Sequence, residues 1–101
     1  MTRRWTVRHL RPAQRDLEDI LDYISRDDPV AAQALVNEID RSLGRLARFP
    51  KSGAQPQDER LRRIGYRVLR VRDYLAFYLI RGRTVQVRRI IHGARRYEFL
   101  L

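Results

Sequence analysis

Apolar positions along this chain change their period twice, and the changes mark the elements. Trp5, Val7 and His9 alternate with Thr6, Arg8 and Leu10, the two-residue period of a short strand. Ala13, Leu17, Ile20, Leu21 and Ile24 then recur at spacings of 4, 3, 1 and 3, which gathers them on one helical face. Pro12 suits the first turn of that helix, where its missing N–H would have no partner anyway. Asp16, Glu18, Asp19 and Asp22 fill the other side, and early acids complement the helix dipole, so this side reads as a solvated face. Arg26-Asp27-Asp28-Pro29 interrupts the period, with Asp28 as an N-cap and Pro29 at the first position of a second helix. That helix continues through Leu35, Ile39, Leu43 and Leu46 to Phe49, just before Pro50. So short a break predicts an antiparallel helix hairpin whose two apolar stripes need the same sheet to cover them.

Beyond Pro50 the helical period stops. Residues 51–63, KSGAQPQDERLRR, carry Gly53 and Pro56 and read as a polar surface connector. From Gly65 to Tyr97 the pattern returns to strands. Leu69 and Val71 alternate with Arg70 and Arg72, and Val68 with Arg67. Tyr74 to Ile80 is almost wholly apolar, as a central strand covered on both faces would be. Arg81-Gly82-Arg83 fits a three-residue hairpin turn with Gly82 at positive φ. Thr84 to His92 resumes the alternation, with Val85 and Val87 on one side and Thr84, Gln86 and Arg88 on the other. Strict alternation puts Arg89 on the Val85 and Val87 side. Either a bulge shifts the register there or its guanidinium is buried against a carboxylate such as those of the first helix. The expected fold is one α+β domain over 1–101, ordered β-α-α-β-β-β with a C-terminal tail. The helix hairpin packs on one face of a four-stranded, mainly antiparallel sheet, and the other face, lined by arginines and tyrosines, is left for a partner.

Charge sharpens this picture. The net charge is +10, and residues 51–101 hold thirteen Lys+Arg against four Asp+Glu, while residues 1–50 hold nine against eight. Positive charge therefore concentrates on the sheet half, where it attracts polyanions or acidic partners. The sequence has no cysteine, which excludes disulfides and thiolate metal sites. No secretory leader or membrane-spanning run is legible, so the expected address is the cytoplasm.

DLEDILDYI and DDPVAAQALVNEI in the helices, FPKSG after them, and YLAFY with VRRIIHGAR in the last two strands together resemble the ParE/RelE family of type II toxin–antitoxin toxins. The resemblance covers nearly the whole chain and rests on the order and spacing of these pieces. It implies a plasmid-stabilisation type toxin held in a heteromeric complex by a cognate antitoxin, whose short, acidic, amphipathic C-terminal segment covers the toxin's groove. It also implies one of two activities: ParE-like members act on DNA gyrase, and RelE-like members cleave mRNA in the ribosome.

RNA cleavage without a metal or other cofactor needs a proton acceptor for the 2′-OH, an acid for the leaving oxygen and cations for the phosphorane. His92 is the obvious titrating group, and Arg70, His92 and Arg95 are the candidate catalytic set, with Tyr97 or Glu98 as a second proton carrier. Arg95 in HGAR matches an arginine of the ribonuclease tail, and Arg70 resembles a sheet arginine of some members. However, Leu75 follows Tyr74 in YLAFY, where RelE-like ribonucleases commonly carry a phosphate-holding arginine. The missing clamp favours a ParE-like, non-enzymatic toxin that binds its target through Arg67, Arg70, Arg88, Arg95, Arg96 and Tyr97.

Overall fold

In the computed structural model, the residues described are 4–93. β1 (Thr6–His9) leads into α1 (Arg11–Ser25) and α2 (Pro29–Gly44), and a 3₁₀ turn (Arg45–Ala47) extends α2. After a connector come α3 (Glu59–Ile64), β2 (Arg67–Val71), β3 (Tyr74–Arg81) and β4 (Thr84–His92). The Asp28 carboxylate accepts a hydrogen bond from Ala31 N at 3.0 Å, and Pro29 follows it in the first turn of α2. The N-cap expected from the sequence is therefore present. Among the described residues no helix is long and apolar enough to cross a membrane.

The sheet runs β1-β4-β3-β2. β2, β3 and β4 are antiparallel neighbours, and β1 lies parallel to β4 with Thr6 opposite Thr84. The sheet is thus mixed. β1 reaches its place through the long crossover that the helix hairpin supplies, and such a connection permits a parallel pair where a tight turn does not.

α1 packs against α2 and β4. Leu35, Ile39, Leu43 and Leu46 meet Val71, Ala76, Tyr78, Val85, Val87 and Ile90 in the main core, with Leu17, Ile20 and Ile24 at its margin. Leu21 apart, the helical stripes and the inward positions of the strands are those the periodicity marks. Ile39, Leu43 and Leu46 are fully buried, and each such side chain contributes roughly 1.5–3 kcal/mol of transfer free energy.

Three expectations are corrected. Residues 51–63 are not a loop throughout: Glu59–Ile64 form α3, capped by Asp58, whose carboxylate accepts from Arg60 N and Leu61 N. Leu61 is fully buried and joins Tyr66, Phe77, Leu79 and Ile91 in a second apolar cluster. The sheet face away from the helix hairpin therefore has its own core, and its arginines lie around that core. Last, the β3–β4 turn is shorter than expected. Arg81 pairs with Thr84, leaving only Gly82 and Arg83 in the turn, with Gly82 at φ +59°.

Both accounts of Arg89 hold at once. The β3–β4 register slips between Phe77 and Tyr78, so that Tyr78 faces Val87 while Phe77 faces Arg89. This bulge lets Ile90 join the helix-side core although Val85 and Val87 are already there. Arg89, now opposite Phe77, still reaches α1, where its Nε and one terminal nitrogen donate to the Asp16 carboxylate at 2.7 and 3.1 Å.

Candidate target-binding surface

Tyr78 anchors one end of the arginine-bearing half. Its fully buried phenol donates to Pro50 O at 2.8 Å and accepts from Gly53 N at 3.0 Å, which pins the FPKSG segment against the sheet. Burial pushes the Tyr78 pKa up, against the lowering effects of the Gly53 hydrogen bond and the Arg67 charge. Ala54 then pairs with Val68 through two 2.8 Å backbone hydrogen bonds, shielding part of the outer edge of β2. A β-carbon on Gly53 would lie 2.5 Å from the Tyr78 hydroxyl and 2.9 Å from Val68 O, so this approach requires glycine.

The arginines expected to bind a target are placed unequally. Arg67 is half-buried and donates to Lys51 O at 3.2 Å and Gly53 O at 2.8 Å, so it ties the connector to β2. Arg70 is exposed; its Nε donates to Arg72 O at 3.0 Å, bracing the β2–β3 turn and leaving the rest of the guanidinium at the surface. Arg88 is half-buried on the bulge, with a long 3.4 Å contact to Gln86 Oε1. Arg95, Arg96 and Tyr97, with Glu98, lie outside the described residues.

Register decides which candidates share a face. Arg70 stands opposite Leu75, and Leu75 opposite Ile91. Leu75 and Ile91 belong to the α3-side cluster. His92 stands opposite Tyr74, which packs against the helix-side core. Arg70 and His92 therefore project from opposite faces, on strands separated by β3, a lateral span of roughly 10 Å at the usual strand spacing.

The surroundings of His92 are those of the helix side. Its ring meets Tyr74 edge-on at 5.4 Å. It borders one hollow of ≈ 330 Å³ with Asp16, Asp19, Ile20 and Tyr23, and another of ≈ 280 Å³ with Ile24, Leu35, Arg72 and Asp73. Burial raises the Tyr74 pKa, and electrostatic repulsion from Asp73 and Tyr23 adds to the rise. Tyr74 is accordingly a neutral phenol at physiological pH. A phosphodiester brought to His92 here would meet Asp19 and the Arg89-paired Asp16 on one side, and Asp73 beside Arg72 on the other. Sequence reasoning had linked Arg89 to the acids of α1 but did not single out Asp16. It also missed Leu61, whose signal is a lone leucine within a charged segment.

A family model described as "ParE toxin of type II toxin-antitoxin system, parDE" matches residues 7–97. The chain belongs to the ParE toxin family. It is a type II toxin of the wider ParE/RelE group, as the sequence motifs suggested. This ParE-family toxin is 33% identical over 98 residues to "Putative toxin Y4kP" of Sinorhizobium fredii, covering 97% of this chain and 94% of that protein. Among solved structures it is similar to a chain of the chromosomal ParDE system from P. aeruginosa, with a TM-score of 0.73 and 25% identity over 89% of this chain and 97% of that one. It is also similar to a chain of the toxin–antitoxin complex RelBE2 from Mycobacterium tuberculosis, with a TM-score of 0.61 and 26% identity over 88% and 98%. The α+β architecture is shared across both.

Proposed function

We propose that this ParE-family toxin acts in the cytoplasm by binding and poisoning DNA gyrase, and that it does not cut RNA. The observation that carries this reading is the separation of Arg70 from His92 on opposite sheet faces, with His92 beside carboxylates. Phosphoryl chemistry needs the proton carrier and the charge-stabilising cations to converge on one phosphate. Leu75 at the position of the missing arginine clamp supports the same reading.

In the resting state the toxin is held by a cognate antitoxin. A segment with an apolar stripe and acidic residues complements a chain half whose net charge is +9 (thirteen basic less four acidic residues). Charges at the rim of such an interface act mainly on the association rate. Association should therefore slow between low and physiological salt while dissociation changes little.

The test compares His92→Gln with stepwise removal of Arg70, Arg88 and Arg95. A gyrase poison loses toxicity in steps as the arginines go, tolerates His92→Gln, inhibits supercoiling and leaves ribosome-bound mRNA whole. Arg67 is kept out of this series, because its bonds to Lys51 O and Gly53 O would mix stability with binding. Site-specific mRNA cuts that vanish with His92→Gln alone would overturn the reading in favour of a RelE-like endoribonuclease, for which loss of the acid or base costs about 10²–10⁴-fold in rate.

A further inference from the structure

At the end of α2 lies a second basic surface, which meets the first where Arg67 of β2 donates to Lys51 O. Arg41, Arg45 and Arg48 follow one another at spacings of 4 and 3 through the last turn of α2 and the 3₁₀ turn, and all three are exposed. Helical neighbours at such spacings have β-carbons about 5–6 Å apart, and the 3₁₀ geometry brings positions three apart into near eclipse. The result is a regular row of guanidiniums, which the carbonyl end of the helix favours. Immediately after it stands Phe49, 61% exposed although it is a large apolar side chain.

The Phe49 ring is shared by two hollows. One, of ≈ 510 Å³, is also bordered by Arg4 and the arginine row; the other, of ≈ 550 Å³, by Trp5, Arg48, Lys51 and Ser52. Among the described residues no carboxylate borders either. Trp5 is half-buried, with the Arg83 guanidinium 5.0 Å from its ring centre. An exposed aromatic among cations, without acids, has the composition of a surface that holds a polyanion carrying flat rings.

We infer that this surface docks single-stranded nucleic acid, with successive phosphates along Arg41, Arg45 and Arg48 and a base stacked on Phe49. The even spacing of the row favours a polymer with regularly repeated charge over an acidic peptide, whose carboxylates fall at irregular intervals. Besides their cations, the two hollows offer only the Ser52 hydroxyl and the Trp5 indole among the described side chains for hydrogen bonding, so binding tolerates many sequences and is set by charge and stacking. The inference stands apart from the gyrase reading, since none of these residues belongs to the target-binding set on β2, β4 and the tail.

The test is fluorescence anisotropy of a labelled, short single-stranded oligothymidylate titrated with the full-length toxin at several salt concentrations. Phe49→Ala should weaken binding about tenfold through loss of one stacked base, while Phe49→Trp should retain it. The triple variant Arg41→Gln/Arg45→Gln/Arg48→Gln should lower the slope of log affinity against log salt by about 2, at roughly 0.7 per phosphate contact. A charge-matched control, Arg11→Gln/Arg15→Gln/Arg26→Gln on α1 and its C-cap, should change that slope far less. Melting curves of all variants establish that they are folded, which their exposed positions favour. Equal losses in the two triple variants would mean diffuse attraction by net charge and overturn the inference, as would an unchanged affinity in Phe49→Ala. Tighter binding of a glutamate-rich peptide with interspersed leucines, lost in Phe49→Ala, would overturn it in favour of an acidic protein partner.

Discussion

Replacing Asp16 with alanine removes a single carboxylate that accepts three hydrogen bonds. Two come from Arg89, at 2.7 and 3.1 Å, and the third from Ile90 N at 2.9 Å. The side chains of Arg89 and Asp16 are 24% and 12% exposed, so the pair lies between a surface ion pair and a buried one. Breaking a buried pair by deleting one partner costs about 3–5 kcal/mol, while exposed pairs are worth about 0–1 kcal/mol. Residual access to water lets Arg89 recover part of its hydration, which leaves a penalty of about 1–2 kcal/mol. Ile90 is only 2% exposed, and an unsatisfied buried N–H costs about 1–3 kcal/mol. Together Asp16→Ala should lower stability by about 2–5 kcal/mol. For a domain of this size that corresponds to a fall of about 10–25 °C in melting temperature, read by circular dichroism on the free toxin. Arg89→Leu should be milder than Arg89→Ala, because leucine fills space and brings no charge. In the Arg89→Leu background Asp16→Ala should cost less than it does alone, by about 1–2 kcal/mol, the coupling expected of residues in one network. A shift below about 4 °C for Asp16→Ala, or an equal cost in both backgrounds, would refute this account of the bulge.

Tyr78→Phe leaves Pro50 O and Gly53 N without their partner and should cost about 1–3 kcal/mol in urea denaturation. The raised pKa of Tyr78 also sets a pH dependence: its contribution is complete below the unfolded value of about 10 and is lost as pH rises through the higher folded value, so Tyr78→Phe should flatten the alkaline loss of stability. Gly53→Ala should destabilise by about 1–3 kcal/mol, and Tyr78→Phe should only partly rescue it, because Val68 O at 2.9 Å still opposes the added carbon. Arg72 holds φ +53° in the β2–β3 turn and is paired with Glu38 at 2.6 Å on the surface. Arg72→Gly should therefore change stability by less than about 1 kcal/mol, while Arg72→Val, β-branched at a left-handed position, should cost about 1–2 kcal/mol in the same melts.

The order and type of most elements were legible because they rest on local periodicity. Leu35, Ile39, Leu43 and Leu46 can share a core only on a helix, and Val85 and Val87 only on a strand. Asp28 with Pro29 announced the start of α2, and Gly82 the β3–β4 turn, through backbone preferences that belong to single residues. α3 was not legible, because one buried leucine among charged residues leaves no period, and only Tyr66, Phe77, Leu79 and Ile91 give Leu61 a place to go. The bulge was half legible: alternation flagged Arg89 as misplaced but could not choose among the four acids of α1.

The sequence by itself determined the strand and helix pattern, the concentration of positive charge in the second half and, through its motifs, the ParE/RelE resemblance. Only the tertiary structure decided which charged groups meet. Asp16 and Arg89 are separated by most of the chain and are joined because α1 crosses β4 at the bulge. Arg70 and His92 share the sheet half, yet the register parts them onto opposite faces. The physical reason is that periodicity records which side of its own element a residue occupies. Which residues of other elements share that side follows from strand order, register and crossover, and these are fixed by burying all the apolar faces at once.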